Sequence, residues 1–515
     1  MIPKLVMMLA FFAITVHIGF RTRKSAMDVD GFVLGGRNVG PWLSAFAYGT
    51  SYFSAVVFIG YAGQFGWKYG MAALWIGLGN AFVGSLLAWY VLGARTRAMT
   101  HHLRAQTMPE FFGARFSSRG LRIAAAAIIF VFLIPYTASV YNGLSRLFDM
   151  AFSIPYEWCV IFMAALTCVY VVLGGYMATA VNDTVQGCVM LFGIVAVIVA
   201  ALSGHGGFTQ ALVTLSRVPN DVAGTAGMQG AFISLFGPDL FNLAGVFVLT
   251  SLGTWGLPQM VQKFYAIKSS LAIKRGAIIS TVFALVVAGG SYFLGGFGRL
   301  AADRVAYTPA GTPVYDSIIP AMLANMPDVL IGLTVVLVLS ASMSTLSALV
   351  LTSSSTLTLD FLRGNFIKEM DVKFQLVTIR LLIVAFVLIS MFIALIQYNS
   401  SVTFIAQLMS ISWGALAGAF LAPFLYGLYW KRVTTASVWA CFVFALLLVC
   451  SNMALGVSSP INAGALAMLA GLVIVPLVSL VTPPPDAARV DALFRESYLN
   501  FHDARIDADQ VAGGR

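Results

Sequence analysis

The stretch SASMSTLSALVLTSSST, residues 340–356, sets Ser340, Ser342, Ser344, Thr345 and Ser347 within one apolar run. Hydroxyl oxygens are hard ligands suited to a hard cation, and positions i, i+3 and i+4 of a helix share a face, so several can point to one place. Serines in an apolar helix also hydrogen-bond across to neighbouring helices, and the stretch alone supports either role. A second cluster, Gly49, Thr50, Ser51 and Ser54, lies in the middle of PWLSAFAYGTSYFSAVVFIGYAG, residues 41–63. Small and hydroxyl residues there permit close helix packing, or mark an interrupted helix whose freed carbonyls line an ion or solute site. A third apolar run is interrupted by Thr250, Ser251, Gly253, Thr254, Trp255, Gly256 and Pro258. Pro258 removes a backbone donor, and the two glycines weaken the helix around it. Asp183, in GGYMATAVNDTVQG, is a carboxylate at or near membrane depth, which makes it a candidate for an ion path. Its place near the end of a run also lets it reach water. His17 is the one histidine inside a run and reads as a packing or interface residue, whereas His101, His102, His205 and His502 fall between or beyond the runs. The sequence contains no H-E-x-x-H, paired aspartates or nucleophile elbow, so an enzyme is not expected.

The elements that must position these residues follow from composition. Of 515 residues, 59% are hydrophobic and 10% charged, against the roughly 25% charged of a soluble domain. The apolar residues form runs of about 20, the length a helix needs to cross a hydrocarbon core about 30 Å thick. The alternating segments of a membrane β-barrel are absent, so an all-α membrane protein is expected. Thirteen spans are predicted, starting near Pro3, Pro41, Met71, Leu121, Tyr156, Val181, Leu240, Ala277, Val329, Val377, Val402, Ala436 and Asn462. The first run has no small-residue cleavage site and is followed by Arg21, Arg23 and Lys24, which reads as an uncleaved span. With that end in the cytoplasm, 24 of the 30 lysines and arginines fall on cytoplasmic segments. The outside keeps Lys4, Lys68, Arg146, Arg217, Arg299 and Arg304. This is the bias of the positive-inside rule, so the net charge of +10 reports orientation in a lipid bilayer rather than a nucleic-acid partner. The N-terminus is expected outside and the C-terminus in the cytoplasm, in a cell inner membrane or plasma membrane. Residues 1–482 form the predicted transmembrane domain and 483–515 a polar cytoplasmic tail, with no output domain of the kind a sensor needs. Cys159, Cys168, Cys188, Cys441 and Cys450 lie in apolar runs without C-x-x-C spacing and read as packing residues.

The second and seventh spans are five spans apart, and two interrupted spans in corresponding positions point to an inverted-repeat transporter with a midplane site. On the stretches FVLGGRNVGP (32–41), GGYMATAVNDTVQG (174–187) and ASMSTLSALVL (341–351), the chain resembles the sodium:solute symporter family, particularly its bacterial proline and pantothenate transporters. The resemblance implies the leucine-transporter fold of two inverted five-helix repeats, here about 41–204 and about 240–430, and sodium-coupled import of a small organic solute. It implies a sodium site made by the backbone carbonyls of Thr50, Phe53 and Ala341 and the hydroxyls of Ser344 and Thr345. A solute pocket is expected between the interrupted spans, near Tyr52, Thr254 and Trp255. Some members of the family hold a second cation with residues matching Asp183, Ser344, Ser347 and position 348. Here 348 is Ala348, so Asp183 and Ser347 are expected to serve an ion path and one sodium to be coupled. Where proline transporters of the family carry an aspartate and, four residues on, a tryptophan, this chain has Tyr52 and Val56, and the stretch VNDTVQGCVMLFG is closer to the pantothenate branch. The solute class expected is a carboxylate, a pantothenate-like compound or an amino acid. A proton-coupled carrier of the same fold, or a sensor of this fold without transport, are the alternatives.

Overall fold

The computed structural model describes residues 2–152, 154–222, 226–363, 365–367, 369–399, 405–495 and 497. Most of the predicted tail, with His502, and the expected start at Val402 lie outside the described residues, and the side chain of Arg146 is not described. Among the described residues the chain is helical, with isolated β-bridges and no strand. Eleven helical stretches are long and apolar enough to cross a membrane, rather than the thirteen expected. The counts differ at two places. The first is a 48-residue helix, Tyr156–Ser203, bent at Gly175, where φ is +54° and ψ −144°. At 1.5 Å per residue its length is about twice a hydrocarbon core, so its two arms run on either side of the bend. A Cβ at 175 would stand 2.7 Å from the Phe32 carbonyl oxygen, and the positive φ excludes most L side chains, so glycine is required here. The bend falls six residues before the expected start at Val181, so Asp183 lies two turns inside its arm rather than at its end. The second place is Pro41–Tyr52, too short to count alone and separated by three residues from the stretch that begins at Val56.

We label the helices that carry the site: α1 is Pro41–Tyr52, α2 the arms of Tyr156–Ser203, α3 Leu240–Gly253, α4 Pro258–Ala266, α5 Asp328–Thr356 and α6 Ile405–Tyr429. The chain enters α1 where it leaves α4: the Val39 amide donates to the Ala266 carbonyl at 3.1 Å and the Lys268 amide to the Val39 carbonyl at 3.1 Å. The two interrupted spans therefore run in opposite directions, as an inverted pair must. Small residues bring the helices close. A Cβ at Gly66 would lie 2.0 Å from the Gly295 carbonyl carbon, and one at Gly414 would lie 2.7 Å from the Gly464 Cα. The hydroxyl-rich helix α5 is buried along almost its whole length, which is why its hydroxyls need partners inside the protein.

Candidate ion and solute sites

Helix α1 stops at Tyr52. Phe53 turns to extended backbone (φ −84°, ψ 113°) and its amide still donates to the Gly49 carbonyl at 3.2 Å. Ser54 then starts the next segment, its hydroxyl accepting from the Val56 amide at 3.2 Å. The last carbonyls of a helix have no intrahelical partner, and here they face α5. The Ser344 hydroxyl lies 3.1 Å from the Thr50 carbonyl oxygen and 3.1 Å from that of Ala341. The Thr345 hydroxyl lies 3.4 Å from the carbonyls of Thr50 and Ser51 and 3.5 Å from that of Phe53. All six residues are buried. Each hydroxyl has one proton, so these two can donate to two of the carbonyls, and the remaining oxygens face oxygens. Such a set is completed by a hard cation, which accepts carbonyl and hydroxyl oxygens together. All five residues marked from the sequence, Thr50, Phe53, Ala341, Ser344 and Thr345, are thus brought together, and Ser51 joins them.

Ser347, one turn along α5, donates to the Ser344 carbonyl at 2.9 Å, and the Tyr170 hydroxyl donates to the Met343 carbonyl at 2.8 Å. Asp183 is fully buried rather than reaching water, and neither carboxylate oxygen has a hydrogen-bond partner. Position 187, one turn further along α2, packs against Thr50: a Cβ there would be 3.2 Å from the Thr50 Cγ2. Asp183 therefore lies on α2 about one turn from the position that packs against Thr50, toward the bend at Gly175.

Tyr52 sits between Ser51 and Phe53, so its side chain leaves the break where the carbonyls are freed. Its ring centre is 5.7 Å from that of Trp413 on α6, which is 6.0 Å from that of Tyr136. The hydroxyls of Tyr52, Tyr136 and Tyr292, the indole N–H of Trp413 and the amide nitrogen of Asn80 are buried without a hydrogen bond of good geometry. They neighbour one another, Tyr52 beside Tyr292, Tyr136 beside Ser54 and Trp413, and Tyr292 beside Asn80. Buried polar groups normally find partners, so a cluster of unsatisfied ones beside aromatic faces is a candidate site for a polar small molecule.

The seventh span breaks as its sequence suggests. Helix α3 ends at Gly253, Leu257 is extended (φ −79°, ψ 122°), and Pro258 opens α4 where its missing N–H is harmless. A Cβ at Gly253 would stand 2.8 Å from Trp413, so this break touches the aromatic cluster through its backbone. Thr254 and Trp255 each bond to a neighbouring turn. The Thr254 hydroxyl lies 2.9 Å from the Gly84 carbonyl and the Trp255 indole donates to the Val83 carbonyl at 3.0 Å, both in the π-helical turn Phe82–Leu87. That turn also accepts from the Tyr48 hydroxyl at 2.8 Å, which ties the two broken spans to one wall. Asn80, Tyr136, Tyr292 and Trp413 were missed in the sequence because each is a single residue in an apolar run with no spacing to mark it.

Two broken helices running in opposite directions, with an oxygen cluster and an aromatic polar site at their breaks, define a secondary transporter of the leucine-transporter type. The same fold appears in a solved sodium-coupled sialic acid symporter in a substrate-bound outward-open state, with TM-score 0.73 and 15% identity over 94% of this chain and 99% of that one. Mhp1, a nucleobase-cation-symport transporter, matches at TM-score 0.53 and 14% identity over 90% and 97%. The sodium:solute symporter family model matches residues 32–443, and the chain belongs to that family. Among its relatives are the osmoregulated proline transporter OpuE of Bacillus subtilis, 28% identical over 93% of this chain and 94% of the relative. A sodium/proline symporter of Staphylococcus aureus is 30% identical over 86% and 84%. As a member of the family the chain is a multi-pass membrane symporter that couples sodium to a small solute, and not an enzyme.

Proposed function

We propose that the chain imports a small organic solute by alternating access, driven by one sodium ion bound at Thr50, Phe53, Ala341, Ser344 and Thr345. The observation that carries this is the convergence of the α1 carbonyls on the two α5 hydroxyls, with more oxygens than protons to join them. The solute lies against Tyr52 and Trp413, and Thr254 and Trp255 hold the wall behind it through Gly84 and Val83. Coupling follows from chain order: sodium orders the backbone of Thr50, Ser51 and Phe53, and Tyr52 is the residue between them. An ion that fixes this break therefore orients the solute's contact, and the solute fixes the ion's ligands in return. Asp183 and Ser347 continue the path by which sodium leaves. The two repeats are about 41–204 and about 240–430. The basic end faces the cytoplasm, with the N-terminus outside, on the strength of the lysine and arginine bias.

The relatives are named for proline, one member of a class that also includes other amino acids, carboxylates and pantothenate-like compounds. The aromatic site offers hydroxyl, indole and amide donors and no charged side chain among those named, which suits a carboxylate or amide on a partly apolar body. Uptake into proteoliposomes tests the reading. A solute found by thermal-shift screening should accumulate with an inward sodium gradient and not with a pH gradient alone. Wild-type sodium dependence in the Ser344→Ala, Thr345→Ala double variant would overturn the site, and uptake driven by pH alone would make the chain a proton-coupled carrier.

A further inference from the structure

Between the oxygen cluster and the basic end, α2 and α4 bury a second polar group set that the transport site does not use. Asp183 is fully buried and Lys263, on α4, is 3% exposed. Asp183 has no hydrogen-bond partner. The Lys263 ammonium stands 5.0 Å from the centre of the Tyr176 ring, at the start of the same arm that carries Asp183. Each of the two charges acts on the other across the gap, and Tyr170 and Tyr176 are the other titratable groups that face Asp183. Gln186, three residues after Asp183, and Gln259, four residues before Lys263, share their helix faces, and both amides are also buried without partners. The Ser353 and Ser354 hydroxyls on α5 are unpaired as well. Helix α4 is tied to α5 by the Thr352 hydroxyl donating to Gln262 at 2.8 Å, next to Lys263 in the chain.

A buried carboxylate without a partner and a buried ammonium held only over an aromatic ring are each costly alone and neutralise one another when they meet. We propose that Lys263 is the tethered counter-ion of Asp183, its ammonium filling the cation position at that carboxylate whenever no sodium is passing. Asp183 thus draws sodium out of the Thr50–Ser344 cluster, and Lys263 displaces it toward the basic end. The pair leaves no place for a second coupled ion. The inference rests on the sodium site proposed above.

Removing the tethered charge makes a specific difference. In Lys263→Met, Asp183 keeps its charge, and the amide oxygens of Gln186 and Gln259 join it as hard ligands for a free cation. Parallel flux of radioactive sodium and solute into proteoliposomes should rise from one sodium per solute in wild type to two. The Hill coefficient for sodium should move from about 1 to about 2. Lys263→Arg should remain at one, and Asp183→Asn with Lys263→Met should return to one. A Lys263→Met protein that still couples one sodium overturns the proposal. Wild-type uptake that ignores sodium would instead remove the sodium site itself. If Lys263→Met does not fold, infrared difference spectra of wild type against Asp183→Asn in sodium-free buffer decide it. Loss of an ionised-carboxylate band is the expected result, and loss of a protonated-carboxyl band overturns the pairing.

Discussion

At the scale of the residue, the oxygen cluster separates two kinds of side chain. Ser344 and Thr345 contribute a single oxygen each, and deleting a buried polar ligand costs about 1–3 kcal/mol, or roughly 5- to 150-fold in affinity. Ser344→Ala and Thr345→Ala should each weaken sodium binding in that range when solute binding is titrated with sodium, and Thr345→Ser should restore most of it. Trp413→Phe keeps an aromatic face toward Tyr52, and removes a buried N–H together with half of the indole. It should raise the solute dissociation constant roughly 5- to 10-fold, the size of one hydrogen bond, with sodium affinity at saturating solute little changed. Trp255→Phe, whose N–H is already used on Val83, should lower the melting temperature more than it changes the solute constant. The oxygen cluster was legible in the sequence because hydroxyls clustered in an apolar run are uncommon and have few chemical uses. Tyr136, Tyr292 and Trp413 were not, because an aromatic residue in such a run looks the same whether it packs against a neighbour or walls a site. For Trp255, the position beside a break is visible in the sequence, and the bond of its indole to Val83 is not.

At the scale of the element, breaks matter more than helices. Gly49, Thr50, Ser51 and Ser54 mark the first break and Gly253, Gly256 and Pro258 the second, and both fall where those residues weaken the helical ladder. Helix starts at Pro41, Tyr156 and Leu240 coincide with the expected ones because proline or a polar residue precedes the apolar run there. The bend at Gly175 was placed late because the run from Tyr156 onward stays apolar through the turn, and only the backbone angle of one glycine divides it. That glycine gives a clean test. Gly175→Ala forces a positive φ on a residue with a Cβ and sets that atom 2.7 Å from the Phe32 carbonyl. The strain should destabilise the protein by about 1–3 kcal/mol, read as a lower melting temperature in detergent and reduced yield. Gly36, also at positive φ but with open space around its Cβ position, is the control and should lose less when changed to alanine.

At the scale of the whole molecule, the basic end is held by charges that bridge distant segments. Arg122 pairs with Glu110 at 2.8 Å and with the fully buried Asp360 at 2.7 Å, joining the segment 108–116 to the far end of α5's span. Arg115 donates to the Gly427 carbonyl at 3.0 Å and to that of Trp430 at 3.2 Å, capping the end of α6, and burial together with nearby Arg489 pushes its pKa down to about 10. These ties link the segment after α5 to α6, the helix that carries Trp413, through the segment 108–116. The thermodynamic signature of sodium–solute coupling is the last prediction. Because linkage is reciprocal, a single coupled sodium raises solute affinity along a curve of Hill coefficient near 1, and solute raises sodium affinity by the same factor. At zero membrane potential, one sodium per solute limits the solute gradient at static head to the first power of the sodium gradient. Proteoliposomes clamped at zero potential, with the sodium ratio varied and the solute ratio measured at rest, should give a log–log slope near one. A slope near two would place a second coupled ion in the wild-type protein and take the one-ion mechanism down with it.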